Sequence, residues 1–209
     1  YSKSWEGKNN TILINDVRYS PAGVLAPIQR SDLAFTMHML YHLSETGTCA
    51  IVEFPGVLYR GGAEKKIREY LIKNNFVDTV IQLPANLFFG VGIATCIIVI
   101  KKNKKDNNIL FVDASEEFVK KGDKNKLEDE NQNRIVNAYQ ERKEEQYFTK
   151  LVSNDEVLAN GANLSVSSYV EKEDKREVID IVALNEEIEA LSKDVRNRSV
   201  ELDEMIKEL

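Results

Sequence analysis

Cysteine, histidine and proline are all scarce in this sequence: two, two and four residues in a chain of 209. Cys49 and Cys96 lie far apart, each inside an apolar run. That pattern excludes a small disulfide-stapled secreted fold and predicts two buried, reduced thiols. The few prolines argue against a disordered chain. No apolar run approaches the roughly 18–20 residues that span a bilayer, so no membrane helix is expected and the cytoplasm is the expected compartment. The first residues, "YSKSWEGKNN", contain neither a methionine nor the charged-then-apolar pattern of a signal sequence. They read as a chain cut, or an ordered region resumed, inside something larger.

An excess of basic charge is also missing. The net charge is −6. Thirteen acidic and seven basic residues lie from Glu171 to Leu209, which accounts for all of it, and residues 1–170 hold 21 of each sign. A large basic surplus is the usual footprint of a nucleic-acid binder. If this chain meets DNA, it shares the electrostatic work with a partner.

What is present is a chain with 43% apolar and 30% charged residues, enough for one core, or one core with an appendage. Residues 1–30 lack periodicity and read as a long irregular loop, uncommon unless it does something. "SDLAFTMHMLYHLSETG" predicts a helix with Ser31 as N-cap and Leu33, Met37, Leu40 and Tyr41 as its apolar stripe. "CAIVEF", "FVDTVIQL" and "ATCIIVIKK" predict buried strands, with a helix in "GGAEKKIREYLIKNN". The turn "KKDNN" predicts an antiparallel hairpin between the third strand and "ILFVDA". Helices alternating with near-continuous apolar strands predict a largely parallel sheet covered by helices, with too few strands for a complete doubly wound domain.

Beyond Ser115 the composition turns polar. An amphipathic helix outside the sheet is expected in "LEDENQNRIVNAYQERKEEQYF". A short helix capped by Ser153 and Glu156 follows, and "NLSVSSYV" reads as extended. The charged stretch "EKEDKRE" leads to a last helix from about Val178. There Ile181, Leu184, Ile188, Leu191, Val195, Leu202, Met205 and Leu209 recur at three- and four-residue steps, with Arg198 the one polar position. That is a heptad seam, which wants a helical partner.

Single residues that could carry chemistry are few. His38 and His42 stand four apart on one helix face, a spacing that can bind metal. No carboxylate or cysteine cluster accompanies them, and no metal is expected. Arg60, Gly61 and Gly62 enter a helix whose N-terminus could hold an anion, without a GxGxxG or P-loop pattern. Phe88 and Phe89 are adjacent aromatics in a glycine-flanked loop, so one of them can face a cleft. Lys101, Lys102, Lys104 and Lys105 lie near the expected hairpin tip, where phosphate contact competes with simple solvation.

Taken in order, these pieces form a recognisable whole. "LAFTMHMLYHLSETGTCAIVEFPGVLYRGGAEKKIREYLIKNNFVDTVIQLPANLFFGVGIATCIIVIKK" closely resembles the adenine-N6 DNA methyltransferase subunit of type I restriction-modification systems. "NLSVSSYV" stands where that family usually carries an Asn-Leu-Asn-Ile-Pro-Arg-Tyr-Val-like segment; Ser165, Ser167 and Ser168 replace the second Asn, the Pro and the Arg. The resemblance runs from Tyr1 to about Val170, and the last helix also fits. "YSKSW" looks like the tail of the family's Asn-Pro-Pro-Tyr/Phe catalytic motif, which would make Tyr1 its aromatic. The Asn, both prolines and the family's Gly-rich cofactor loop would precede residue 1.

The resemblance implies the C-terminal half of a Rossmann-like, S-adenosylmethionine-dependent methyltransferase fold, with a helical arm. In the family, the Asn side chain and a Pro carbonyl accept hydrogen bonds from the adenine amino group, and the aromatic stacks on the flipped base. The cofactor supplies the activated methyl, so the protein's task is orientation and electrostatics. Residues 1–114 would be a partial catalytic domain, 115–170 a peripheral region, and 171–209 a linker and docking helix. Trp5, Arg60, Gly61, Gly62, Phe88, Phe89, Lys101 and Lys102 are the candidate DNA or substrate contacts. The implied partners are DNA, the DNA-specificity subunit and the restriction subunit, and an open sheet edge predicts self-association of the piece. The alternative is a non-catalytic interaction module that docks a partner through the last helix. Another doubly wound enzyme would need its own cofactor loop, and none is visible.

Overall fold

The computed structural model describes residues 4–7, 10–173 and 180–207. It divides into one unit up to Lys172 and a second from Glu173 onward. Among the described residues no helix is long and apolar enough to cross a membrane.

The first unit is built on a five-stranded sheet of β1 (Thr48–Glu53), β2 (Val77–Gln82), β3 (Cys96–Lys101), β4 (Asn108–Asp113) and β7 (Thr149–Ser153). A separate two-stranded hairpin pairs β5 (Val119–Lys121) with β6 (Lys124–Lys126). The helices are α1 (Thr11–Ile14), α2 (Asp32–His42), α3 (Gly56–Tyr59), α4 (Ala63–Lys73), α5 (Asp129–Glu141) and α6 (Asn154–Ala159).

The order across the sheet is β1-β3-β2-β4-β7, and it corrects the sequence reading twice. The sheet is not largely parallel by pairing: only β2 with β4 is parallel, and the other three pairings are antiparallel. β1, β2 and β4 do run the same way, but β3 slots between the first two in reverse. The cause lies in the connections. α3 and α4 carry the chain back between β1 and β2, whereas the link from β2 to β3 has no helix and simply reverses.

The second correction concerns the expected hairpin. β3 and β4 are not neighbours, because both edges of β3 are already taken by β1 and β2. The chain therefore passes over the start of β2 and pairs on its far side. Lys104 holds that crossing: its ammonium donates to Val77 O at 2.7 Å and to Asn108 O at 2.9 Å. Burial pulls this lysine down to about 8.

Alternating strand residues feed two cores. Val80, Ile109 and Phe111 join Leu33, Met37, Leu58, Ile67 and Leu71 on one face. Ile81, Leu110 and Val112 join Ile135 and Phe148 on the other. The expected α2 stripe is buried at Leu33, Met37 and Leu40, while Tyr41 is exposed. The α5 helix covers the second face through Ile135 and Ala138. "NLSVSSYV" is not extended: Val166–Ser168 is a 3-10 turn. Asn163 accepts from Ser165 N at 2.9 Å and starts the turn, while Leu164, Val166 and Val170 sink into the first core. Tyr169 stacks on Phe111 at 4.3 Å and donates its hydroxyl to Asn163 O at 2.6 Å.

Arg68 ties this region together. It is 1% exposed, with Nε donating to Ala162 O at 2.8 Å and Nη1 to Val57 O at 2.9 Å. Burial lowers it to about 10, still charged at neutral pH. Arg68→Met keeps the aliphatic stem but orphans two buried carbonyls, at roughly 1–3 kcal/mol each. Denaturant unfolding should register a loss of about 2–5 kcal/mol; a loss below about 1 kcal/mol would show that the carbonyls find other donors.

The second unit is α7 (Ile181–Lys207), started by Asp180, whose carboxylate accepts from Val182 N and Ala183 N at 2.9 and 3.1 Å. The expected seam is exposed along its length, from Leu184 at 44% to Ile181 at 69%. Leu209 lies outside the described residues.

A buried carboxyl at the end of β1 gives a pH signature. Glu53 is 2% exposed and accepts from Thr36 Oγ1 at 3.0 Å. Burial raises it from 4.5 to about 7; the Thr36 bond opposes the rise and Asp32 adds to it. Folding therefore disfavours the ionised form: Glu53's contribution to stability is greatest below about pH 4.5 and is lost as pH rises through about 7. Glu53→Gln should stabilise by roughly 3 kcal/mol at pH 8 and hardly at all at pH 4. Equal effects at both values would refute the buried-charge assignment.

Candidate functional site

β1 and β2 end, and β3 begins, at one end of the sheet. Register sets Cys96 opposite both Glu53 and Gln82. Residues 83–95 thus leave and return at the same place. Leu83 N donates to Thr95 O at 2.9 Å, and Gln82 Nε2 donates to the same carbonyl at 3.1 Å, closing the neck of the loop. Leu87 packs on the second core. At the tip Phe88 is 41% exposed and Phe89 97%. Neither belongs to a core cluster. Val91 N donates to Phe88 O at 3.2 Å, and Gly90 turns the chain at φ +71°, where a side chain would be strained.

The β5–β6 hairpin props this loop from outside. Asn125 N donates to Asn86 O at 3.1 Å, Asn125 Nδ2 to Ala85 O at 2.9 Å, and Lys124 Nζ to Phe88 O at 3.2 Å. Three-residue strands carry too little periodicity to announce such a hairpin in the sequence.

Beneath the loop the polar groups are engaged with one another. Thr36 bonds the Glu53 carboxyl, and Cys96 Sγ donates to Glu53 O at 3.4 Å. Burial pushes the Cys96 thiol up to about 12, and Cys49 is raised by burial as well. Neither is placed to act as a thiolate nucleophile.

Tyr1 lies outside the described residues. Trp5 is half-buried rather than displayed: its Nε1 donates to Pro27 O at 3.0 Å, and its ring meets Tyr19 edge-on at 5.4 Å. With Arg18, Tyr19, Phe35 and His38 it lines an open cavity of about 420 Å³. Arg18 donates to Asp16 through Nε at 2.9 Å and to His38 Nδ1 through Nη1 at 3.1 Å. The Arg18 guanidinium holds the Asp16 carboxyl down to about 2. The His38 and His42 rings lie 4.6 Å apart between centroids, tilted by 59°. Among the described residues no cluster of three or more His, Cys, Asp or Glu could hold a metal ion.

Arg60, Gly61 and Gly62 occupy the entrance to α4, but the anion there is the protein's own. Glu64, 2% exposed in the first turn, meets Arg60 Nη1 at 3.5 Å and Arg30 Nη1 at 3.6 Å. The Arg60 guanidinium lies over Gly56, where any Cβ would come within 2.3 Å of it. Lys101 and Lys102 sit at the opposite end of the sheet from the aromatic loop, beside the start of β1. Lys101 pairs with Asp78 at 3.2 Å and lies over the Tyr139 ring; Lys102 donates to Leu43 O at 2.6 Å and faces Glu45 at 3.6 Å. Of the sequence candidates, the structure therefore displays Phe88 and Phe89, buries much of Trp5, engages Arg60 internally and places the lysines elsewhere.

Comparison with known proteins agrees with this architecture. The chain is 45% identical to the type I restriction enzyme MpnII methylase subunit of Mycoplasma pneumoniae, over 99% of this chain and 39% of that protein. It is 34% identical to the MjaVII methylase subunit of Methanocaldococcus jannaschii, over 88% of this chain and 32% of that protein. The chain thus spans less than two fifths of the length of these relatives. A crystal structure of a type I restriction-modification methyltransferase subunit from Streptococcus thermophilus superimposes with a TM-score of 0.79 at 41% identity, covering 82% of this chain and 36% of that one. The EcoKI M protein shares the fold at a TM-score of 0.58 and 19% identity, over 83% of this chain and 45% of that one. The sheet and its helices are a piece of a methyltransferase fold, carried with a C-terminal helix. A family model for N-6 DNA methylases matches residues 1–178, and the chain belongs to that family.

Proposed function

We propose that the parent protein is the modification subunit of a type I restriction-modification complex and methylates adenine N6 in DNA. This chain supplies the base-facing aromatic loop and a docking helix. The observation that carries the reading is Phe89, 97% exposed on a loop closed at its neck and propped by a hairpin. A fully displayed phenylalanine on a fixed loop is the chemistry of base stacking, which an extrahelical adenine needs.

Among the described residues no Gly-rich turn joins a strand directly to a helix, Thr36 Oγ1 donates to the Glu53 carboxyl, and Cys96 Sγ donates to the Glu53 backbone carbonyl. The cofactor is assigned to parts of the parent outside this chain, and residues 1–209 alone are expected to be inactive. Tyr1 is proposed as the aromatic of the catalytic motif, with Trp5 bracing the segment that follows it. Arg60, Lys101 and Lys102 are proposed as framework residues rather than DNA contacts. In the full-length enzyme Phe89→Ala should lower the methylation rate about 5- to 150-fold, the equivalent of roughly 1–3 kcal/mol of stacking, while Phe89→Trp retains most of it. A single-turnover assay reads both; an unchanged rate in Phe89→Ala removes the loop from the site.

A second role rests on a separate observation. The α7 seam is exposed at Ile188 (51%) and Leu191 (59%), in a helix about 40 Å long. We infer that it docks a helical partner, the DNA-specificity subunit, to which the restriction subunit is added. For this chain alone, docking is the fuller description. Ile188→Asp with Leu191→Asp buries two unpaired charges in such a seam, at several kcal/mol. Pull-down of the specificity subunit should be lost while circular dichroism of the enzyme is kept; retained pull-down would exclude α7 as the docking element.

A further inference from the structure

The β5–β6 hairpin braces the aromatic loop through Lys124 and Asn125. Its charge suggests more. Residues 118–126 carry Lys120, Lys121, Lys124 and Lys126 against one acid, Asp123. Lys120, Lys121 and Lys126 are exposed. Lys124 is spent differently, on Phe88 O, and with Asn125 it makes the hairpin and the aromatic loop one continuous surface.

This use of lysine contrasts with the other end of the sheet. There Lys101, Lys102 and Lys104 are drawn onto Asp78, Leu43 O, Val77 O and Asn108 O. On the hairpin, Lys121 and Lys126 share a single carboxylate, Glu128, at 3.1 and 3.8 Å. One carboxylate cannot neutralise two ammonium groups, and exposed ion pairs exchange readily for a phosphate. Residues 1–170 balance overall, and the hairpin is a short basic stretch between acidic flanks (Glu116, Glu117 and Glu128 to Glu130), so attraction to a polyanion from here acts at short range, through the exposed lysines themselves. Cations beside a displayed aromatic ring match the two chemical faces of a nucleic acid, phosphate and base.

We propose that the hairpin and the Phe88–Phe89 loop form one DNA-contact surface. Lys120, Lys121 and Lys126 take phosphates flanking the base that meets Phe89, and Lys124 is a positioning residue for the loop. The proposal rests on the DNA-methyltransferase reading above and adds to it the residues that hold the backbone.

The test is DNA affinity against salt, on the full-length enzyme assembled with its partner subunits. The slope of log K against log salt is negative, and each lost phosphate contact lowers its magnitude by about 0.9. Lys120→Gln, Lys121→Gln and Lys126→Gln together should reduce the slope by about 2 to 3, and the same three positions changed to Arg should restore it. Amine-reactive labelling of the unsubstituted enzyme, with and without DNA, gives a reading that needs no variant. Mass spectrometry should find Lys120, Lys121 and Lys126 protected by DNA. An unchanged slope, or labelling that DNA does not alter, overturns the hairpin's role while leaving the methyltransferase reading intact. Failure of the unsubstituted enzyme to bind DNA at any salt concentration overturns both.

Discussion

The antiparallel insertion of β3 between β1 and β2 is the constraint on which the rest depends. It sets Cys96 against Glu53 on one side and Gln82 on the other. Residues 83–95 must therefore rise and return at the end of the sheet where β1 and β2 stop. A surface loop of that length would ordinarily sample many conformations. Here the Gln82 and Leu83 bonds to Thr95 O close its neck, and Leu87 anchors one side in the second core. What remains free to project is the tip, and the tip carries the two phenylalanines. The same insertion denies β3 to β4, sends the chain across β2, and creates the demand that Lys104 meets.

Charge in the first unit is distributed by that topology rather than by composition. Where the chain crosses between non-neighbouring strands, backbone carbonyls lose their ladder partners and take lysine ammonium groups instead. Lysines clustered in sequence at 101–105 are thus mostly consumed by the fold. Lysines 120–126 lie on a hairpin whose short ladder already pairs its backbone, so three of the four ammonium groups face outward. Two similar runs of lysine therefore do different work, and only their backbone surroundings distinguish them.

Much of the framework was legible in the sequence because its signals are local. Apolar runs such as "CIIVIK" and the amphipathic spacing of α4 reflect burial that each segment needs wherever it lies. The strand order was not legible, since β4 chooses the edge of β2 over β3 only once both edges of β3 are filled. "NLSVSSYV" misled for a related reason: alternation of apolar and polar residues imitates a strand, while the Asn163 side chain starts a turn that places Leu164 and Val166 in one core. At the site, adjacency of Phe88 and Phe89 pointed to the loop, and exposure then separated them. Arg60 and Gly62 looked like an anion site because the pattern could not show Glu64 already folded into it.

The two units carry opposite solutions to the problem of partners. Residues 1–170 are electrically balanced, so on the proposed reading long-range attraction to DNA from this part is weak and rests on a local patch. The whole negative surplus lies from Glu171 onward, where it flanks an exposed apolar seam. Had that acidity been spread over the first unit, it would have repelled the phosphate backbone from the aromatic loop. Placed from Glu171 onward, half of it on α7 itself, it disfavours that helix as a DNA contact and favours a helical protein partner with basic flanks. On the proposed reading, separating charge in this way lets one chain hold a base at one unit and a subunit at the other without the two binding events competing.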